Sequence, residues 1–299
     1  MIENVPNHTI RPDMETKPAW LKKRLLASPE VKETEAAISD LGLHTVCSSA
    51  LCPNRSECFN RKVATFMILG NVCTRKCAFC GVANGVPQPP DESEPERVAK
   101  AVERLGLKYV VITSVTRDDL PDRGAAVFAA TLAAIRLRTP SAQTEVLTPD
   151  FDGRRESLKT VLAEKPLVFN HNLETVPRLY QKVRPQASYQ TSLGLLRAAK
   201  EEGAAFTKSG LMLGLGEEKK EVLAALSDLR SVGCDILTLG QYLRPNKKKL
   251  PVFRYVAPAE FEEYKKTAGE MGFKACASGP FVRSSYYAAE IFKQTTALL

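Results

Sequence analysis

The sequence predicts an α/β fold, a partial (β/α)6-type TIM barrel. From about residue 63, short apolar runs rich in β-branched residues alternate with longer stretches of helical period. This alternation is typical of βα units, whose strands form a parallel sheet. Six or seven units fit an open or partial barrel, and a doubly wound sheet is the alternative. The 299 residues contain no repeat and no linker rich in Pro, Gly or Ser that would separate a second domain.

Seven strands are predicted, each from a short apolar run between polar or turn-forming residues. In chain order they are Ala64–Leu69, Tyr109–Thr113, Thr144–Leu147, Leu167–Asn170, Phe206–Leu213, Ile236–Leu239 and Phe273–Ala277.

Six helices are predicted between these strands, from apolar residues three or four positions apart. They are Pro95–Leu105, Ala125–Leu137, Glu156–Leu162, Leu193–Glu202, Glu217–Val232 and Ala259–Met271. The first 60 residues are expected to be largely irregular. Within them, a short helix is predicted from Pro18, because proline favours the first turn, and a second over Val31–Leu41.

Composition and charge are those of a globular protein with acidic partners. The chain is 44% hydrophobic and 25% charged, with a net charge of +8 and a pI near 9.0. No apolar run approaches the roughly 20 residues of a membrane span, and the N-terminus lacks the basic-then-apolar layout of a secretory signal. A cytoplasmic location is therefore predicted. Basic clusters occur at Lys22–Arg24 and Lys247–Lys249.

Eight cysteines are present, and six of them lie between positions 47 and 80. In a reducing compartment such clustering indicates metal binding or redox chemistry rather than disulfides. Cys234 and Cys276 lie in or beside apolar runs, which is typical of buried cysteines without a ligand.

The group Cys73, Cys77 and Cys80 has the spacing C-x3-C-x2-C and follows the first predicted strand. Loops at the carboxyl ends of parallel strands gather on the face that carries the chemistry. Cysteine thiolates are the usual ligands of [4Fe–4S] clusters, and three of them leave one iron open to a small molecule. A zinc site is the alternative, with His44 as a possible fourth ligand.

The group Cys47, Cys52 and Cys58 has the spacing C-x4-C-x5-C. A zinc site in a loop is one interpretation of it. The other is a second iron–sulfur cluster, which would again need one ligand from elsewhere in the chain.

The first motif, with Phe79 before its last cysteine, resembles the signature of radical S-adenosylmethionine enzymes. The second triplet, just upstream, is similar to the auxiliary-cluster motif of the lipoyl synthase family. Further blocks resemble that family, among them TFMILGNVCTRKCAFC (65–80), FNHNLETVPRLYQKVRPQASYQTSL (169–193) and ASGPFVRSSYYA (277–288), and the resemblance covers roughly residues 17–290. Tyr287 and Lys249 depart from it, since the family often has histidine there.

The resemblance implies two [4Fe–4S] clusters and S-adenosylmethionine as cofactors. Cys73, Cys77 and Cys80 would hold the radical cluster, whose open iron binds S-adenosylmethionine. Cys47, Cys52, Cys58 and Ser285 would hold the auxiliary cluster, with Ser284 as the alternative serine. Asn172, Glu174 and Arg184 are candidate contacts for S-adenosylmethionine. His171 is expected to be structural.

The resemblance also implies the reaction and the partners. Two sulfur atoms would be inserted at C6 and C8 of an octanoyl chain held on a lysine of a carrier domain. One 5′-deoxyadenosyl radical would be used per sulfur, and the auxiliary cluster would be the sulfur source. Expected partners are octanoylated lipoyl domains, from the E2 subunit of 2-oxoacid dehydrogenases or the glycine cleavage H protein. An electron donor such as ferredoxin or flavodoxin is expected, and neither nucleic acid nor a membrane. Because such carriers are typically acidic, the two basic clusters are candidate docking surfaces.

The implied organisation is one structural unit: residues 1–60 with the auxiliary cysteines, a barrel over 61–275, and residues 276–299 closing the auxiliary cluster. A rival within the same chemistry is an RNA methylthiotransferase, but its extra N- and C-terminal domains would need more residues than flank Cys47 and Tyr286. A rival of another class is an iron–sulfur electron carrier or a zinc-stabilised binding module, neither of which needs a large barrel.

Overall fold

This computed structural model describes residues 17–23 and 26–296. The strands are β1 (His44–Thr45), β2 (Thr65–Ile68), β3 (Val72–Cys73), β4 (Ala83–Asn84), β5 (Tyr109–Ser114), β6 (Gln143–Leu147), β7 (Val168–Asn170), β8 (Phe206–Leu213), β9 (Ile236–Gln241) and β10 (Ala275–Gly279). The α-helices are α1 (Pro29–Asp40), α2 (Val46–Ser49), α3 (Arg55–Asn60), α4 (Glu94–Leu105), α5 (Ala125–Arg138), α6 (Arg155–Leu162), α7 (Tyr180–Val183), α8 (Tyr189–Glu201), α9 (Lys219–Ser231), α10 (Pro258–Glu270) and α11 (Ala288–Thr296). None of the helices within these residues is both long and apolar enough to cross a bilayer.

The main sheet has eight strands in the order β1-β2-β5-β6-β7-β8-β9-β10. All neighbouring pairs are parallel except β1 with β2. The spatial order of the seven parallel strands follows the chain, whereas a doubly wound sheet reverses direction at a switch point. The partial barrel is therefore confirmed and the doubly wound alternative is wrong. The described strands leave the sheet open between β1 and β10.

Alternate residues of the strands pack outward or inward. Outward-facing residues such as Ile112, Val146 and Phe169 are fully buried under the helices. The inner face carries an ion pair between Lys208 and Glu145 (Nζ–Oε1 2.9 Å), with both side chains 1% exposed. The Tyr109 hydroxyl and the Asn170 amide both donate to the Glu145 carboxylate, so the pair is hydrogen-bonded as buried charges require.

The C-terminal helix α11 closes the barrel at the amino ends of the strands. Its Phe292 ring lies 6.3 Å from the ring of Tyr109 and 5.2 Å from the ring of Phe206, the first residues of β5 and β8. The opposite end, where the strands have their carboxyl ends, carries the candidate site.

All seven predicted strands and the six helices between them are confirmed within a few residues. The largest difference is α8, which begins at Tyr189 because the Ser188 hydroxyl accepts a hydrogen bond from the backbone NH of Thr191 and caps the helix there. The helix predicted over Val31–Leu41 is confirmed as α1, but the expectation that the rest of the described N-terminal region is irregular is wrong, since β1, α2 and α3 lie in residues 44–60. The helix expected from Pro18 is only a 3₁₀ turn, Ala19–Leu21, and Arg24 and Leu25 lie outside the described residues.

Candidate active site

The loop with Cys73, Cys77 and Cys80 leaves β2 through a sharp turn. Leu69 and Gly70 both have positive φ (67° and 84°), and the buried Glu94 carboxylate accepts the Leu69 NH at 2.7 Å. β3 then pairs with β4, which closes the segment into a loop around the three cysteines. The motif therefore lies at the carboxyl end of the first barrel strand, as predicted.

Backbone donors surround the Cys73 sulfur. It accepts the NH groups of Arg75 at 3.4 Å and of Thr116 at 3.3 Å. Such hydrogen bonds to a ligand sulfur are one of the means by which a protein tunes an iron–sulfur cluster. Thr116 follows β5, so this contact fixes the loop against the neighbouring strand.

Arg75 lies between Cys73 and Cys77 in the chain and holds the cysteine loop in place through two carboxylates. It is 7% exposed and makes paired hydrogen bonds to the carboxylates of Asp150 (2.6 and 2.7 Å) and Asp118 (2.8 and 2.9 Å). Burial by itself would raise the pKa of Asp150, but the Arg75 guanidinium lowers it to about 2. The sequence analysis missed Arg75. The sequence offered one signal for it, an arginine inside C-x3-C together with the adjacent acidic residues Asp118 and Asp119. In the structure Asp118 pairs with Arg75, whereas Asp119 pairs with Arg117.

The three candidate S-adenosylmethionine contacts meet beside the cysteine loop. Arg184 Nη1 donates to the backbone oxygen of Asn172 at 3.0 Å. The backbone of Glu174 is hydrogen-bonded to β8, since its NH donates to the Gly210 carbonyl and its own carbonyl accepts the NH of Met212. The φ angle of Glu174 is positive, at 69°. Next to Arg184, the Val183 oxygen accepts the NH of Ala78 at 2.9 Å, which brings this group to the radical motif.

The charge of Arg184 acts on its neighbours, and two buried polar atoms of this group have no hydrogen-bond partner among the described residues. Burial raises the pKa of Cys77 and of Glu174, and in both cases the Arg184 charge opposes the rise. Asn172 Oδ1 and Arg184 Nε are buried without a hydrogen-bond partner among the described residues. Buried polar atoms normally have partners, and the amino, carboxylate and ribose groups of S-adenosylmethionine offer donors and acceptors of the right kinds. The residues therefore fit this cofactor.

The second cysteine group surrounds a small cavity at the open edge of the sheet. Cys47, Cys52 and Cys58 line it together with Arg283 and Ser285. The cysteines lie on or beside α2 and α3, next to β1 and β2, whereas Ser285 follows β10. The cavity thus joins residues from both edges of the partial barrel.

The chemistry of the donors at this cavity fits an iron–sulfur cluster. All the cysteines of the described chain are free. Burial raises the pKa of Cys47 to about 11 and of Cys58 to about 12, so these thiols must lose protons when metal binds. A zinc site would bring its sulfurs within about 2.3 Å of one ion. In residues 17–23 and 26–296, no three His, Cys, Asp or Glu side chains are arranged to hold one metal ion.

The two serines of the Arg-Ser-Ser-Tyr motif have different surroundings. Ser285 lines the cysteine cavity. Ser284 Oγ instead accepts a hydrogen bond from Asn172 Nδ2 at 2.7 Å, on the cofactor side. No sequence pattern could distinguish them, because the contact joins residues 112 positions apart.

Other residues singled out from the sequence lie as follows. His171 is 1% exposed and both of its ring nitrogens have partners, Thr148 O and Ser192 Oγ, as expected of a structural histidine. Lys249 Nζ donates to the Cys77 carbonyl at 3.3 Å, so this departure from the family pattern contacts the cysteine loop. Tyr287 donates to Glu57, beside the second triplet.

The two basic clusters differ in exposure. Lys247 and Lys248 are exposed. In the other cluster Lys22 is exposed, Lys23 is bound to Asn54 and Glu57, and Arg24 lies outside the described residues.

The chain is similar to proteins of known families. The sequence-family model of the radical SAM superfamily matches residues 67–229 of this chain. A lipoyl synthase from Rubrobacter xylanophilus is 56% identical over 275 residues, which cover 92% of this chain and 86% of that protein. A lipoyl synthase from Caldanaerobacter subterraneus subsp. tengcongensis is 54% identical and covers 91% of this chain and 95% of its own. One from Rhodopirellula baltica is 57% identical, with coverage of 92% and 87%.

Solved structures share the fold at low identity. HydG, a maturase of the [FeFe]-hydrogenase, matches 69% of this chain and 49% of its own with a TM-score of 0.55 and 17% identity. Coproporphyrinogen III oxidase from Escherichia coli, a radical SAM enzyme, matches 74% of this chain and 56% of its own with a TM-score of 0.53 and 14% identity. At this identity they establish the architecture alone.

Proposed function

The chain belongs to the lipoyl synthase family of radical SAM enzymes, and from this premise we propose that it inserts two sulfur atoms, at C6 and C8, into an octanoyl chain carried on a protein lysine. The observation that carries the proposal is the pair of free cysteine triplets at one partial barrel, each with three cysteines rather than four. A single [4Fe–4S] cluster and S-adenosylmethionine follow from the family. The second cluster is part of the proposal.

Cys73, Cys77 and Cys80 would hold the first cluster, and Cys47, Cys52, Cys58 and Ser285 the second. When bound, the first cluster supplies the electron that cleaves S-adenosylmethionine to a carbon-centred radical, and the second supplies the sulfur. Such chemistry is required because no side-chain base can remove a proton from an unactivated methylene group. The position of Ser285 in the cysteine cavity supports it over Ser284 as the fourth ligand.

The chain's own residues bind and orient the cofactor. We assign Arg184, whose Nε has no hydrogen-bond partner within the described part of the chain, to the carboxylate of S-adenosylmethionine, since a guanidinium matches that group. Asn172 and Glu174 are assigned to its amino group and ribose hydroxyls. Asn172 and Arg184 are buried, which limits the access of water and strengthens their polar interactions.

The proposed partners are octanoylated lipoyl domains, from a 2-oxoacid dehydrogenase E2 subunit or the glycine cleavage H protein, and a ferredoxin or flavodoxin as electron donor. Exposed Lys247 and Lys248, on the loop that contacts the Cys77 carbonyl through Lys249, support docking of an acidic carrier beside the radical site. A cytoplasmic location stays a prediction.

Iron and sulfide analysis of anaerobically purified protein tests the two clusters. About eight irons per chain are expected, and about four after the triple change of Cys47, Cys52 and Cys58 to Ala. About one zinc in place of iron would refute the assignment.

A reduced enzyme given S-adenosylmethionine and an octanoylated lipoyl domain should release about two 5′-deoxyadenosine molecules per lipoyl group formed. The triple variant should still release 5′-deoxyadenosine but make no lipoyl group. Absence of 5′-deoxyadenosine from the unmodified protein would instead favour an electron carrier.

A further inference from the structure

The segment between β10 and α11, residues 280–287, here named the C-terminal strap, contacts both candidate cofactor sites. Ser285 lines the cavity of Cys47, Cys52 and Cys58. The preceding residue, Ser284, accepts a hydrogen bond from Asn172, a candidate S-adenosylmethionine contact. Adjacent residues of one short segment therefore reach two sites that are built from different parts of the chain.

The strap is held in place on both sides of these serines. Before them, Asn54 Nδ2 donates to the Phe281 carbonyl at 2.7 Å. The Val282 carbonyl lies against Gly240 of β9 so closely that a Cβ there would come within 2.1 Å of it. After them, the Tyr286 hydroxyl donates to the Glu57 carboxylate at 2.8 Å. Asn54 and Glu57 flank the cysteines of the second triplet, so the strap position and that triplet depend on each other.

The Ser284 hydroxyl fixes the orientation of the Asn172 amide. Asn172 is 9% exposed, and its Nδ2 donates to Ser284 Oγ at 2.7 Å and to Glu174 Oε1 at 3.1 Å. The amide oxygen has no partner among the described residues and is thereby left available to a ligand. Without the Ser284 hydroxyl, the shorter of the two bonds that orient this amide is lost.

The geometry points to Ser284 as a positioning residue that couples S-adenosylmethionine binding to the state of the auxiliary-cysteine site. The inference rests on the proposed function for the identity of the ligands. A cluster bound through Ser285 fixes the strap, the strap holds the Ser284 hydroxyl, and that hydroxyl orients Asn172 toward S-adenosylmethionine. Loss of either the cluster or the hydroxyl therefore weakens binding at the cofactor site.

The test compares S-adenosylmethionine affinity, by anaerobic titration calorimetry, in four proteins: unmodified, Ser284→Ala, Cys58→Ala and the double variant. A net hydrogen bond of ordinary strength corresponds to about a threefold to tenfold change in affinity. Ser284→Ala is expected to weaken binding by that factor. Cys58→Ala is expected to weaken binding in the unmodified background and to have no further effect in the Ser284→Ala background. Equal effects of Cys58→Ala in both backgrounds would overturn the coupling.

Two further variants separate positioning from general damage. Ser278→Ala removes a hydroxyl from the preceding strand, where it donates to the Phe261 carbonyl at 2.7 Å, and should leave the affinity unchanged. Ser284→Thr retains the hydroxyl and should restore the affinity that Ser284→Ala loses. If Thr restores nothing, or if Ser278→Ala weakens binding equally, the positioning role is refuted.

A product assay keeps this inference distinct from the proposed function. With an octanoylated lipoyl domain, Ser284→Ala should need a higher S-adenosylmethionine concentration for half-maximal lipoyl formation, by about threefold to tenfold, while iron content and melting temperature stay the same. An unchanged concentration dependence overturns the inference alone. Failure of the unmodified enzyme to make lipoyl groups overturns the proposed function, whatever the affinities.

Discussion

Replacing Arg75 by Ala tests whether its ion pairs with Asp150 and Asp118 hold the cysteine loop in place. Burial by itself would raise the pKa of Asp150, but Arg75, together with His171 and the Asp152 NH, lowers it from 3.8 to about 2. At about 1.4 kcal/mol per pKa unit, the shift is worth about 2 kcal/mol of stability at neutral pH. Removal of Arg75 also leaves Asp150, 2% exposed, as an uncompensated buried charge. Loss of one partner of such a pair costs about 3–5 kcal/mol, and this is the expected loss in the free energy of unfolding.

The pH dependence gives a second measure of the same pairs. The pKa of Asp150 is depressed in the folded state, so its contribution is present above pH 4 and is lost as the pH falls toward 2. The difference in stability between the unmodified protein and Arg75→Ala should therefore shrink over that range.

The assay is anaerobic urea unfolding of the unmodified protein, Arg75→Ala, Asp150→Asn and the double variant. Because both changes act on one pair, the double variant should be more stable than the sum of the single losses predicts, by more than about 1 kcal/mol. Arg117→Ala is the matched control, since Arg117 is 2% exposed but its partner Asp119 is 39% exposed and would be left in solvent. Additivity at Arg75 and Asp150, or an equal loss for Arg117→Ala, would refute the reasoning.

Three further changes have expected outcomes. Lys208→Met leaves Glu145 as a buried charge and should lower the free energy of urea unfolding by about 3–5 kcal/mol. The double variant with Glu145→Met should regain most of that stability, since replacing a whole buried pair by apolar groups is often neutral. A double variant as unstable as Lys208→Met would contradict this. Gly240→Ala must displace the C-terminal strap and should lower iron from about eight to about four per chain; full iron content would show that the strap moves freely. Exchange of the exposed Lys247 and Lys248 for Glu should raise the KM for an acidic lipoyl domain at low salt with little change in kcat, and an unchanged KM would exclude this loop as a docking surface.

The order of strands and helices could be predicted from the sequence because it depends on local patterns. Apolar runs such as that in Tyr109–Ser114 are buried on both faces of a parallel sheet and are nearly continuous in sequence. The short elements β1 and α2 could not be predicted because they show no such local pattern. α2 has four residues and β1 has two, so neither is long enough to show a period, and both are stabilised by packing on β2.

The sequence by itself determined the two cysteine triplets, because residue type and spacing are local properties, and its resemblance to a family implied the kind of cofactor. The tertiary structure decided which distant groups lie next to each other at the candidate sites. Arg75 meets Asp150, Ser285 meets the second triplet, and Ser284 meets Asn172. Each of these contacts is made only when the barrel brings together chain segments 75 to more than 200 positions apart. A hydrogen bond or an ion pair depends on distances of a few ångströms, and no spacing along the chain encodes those distances.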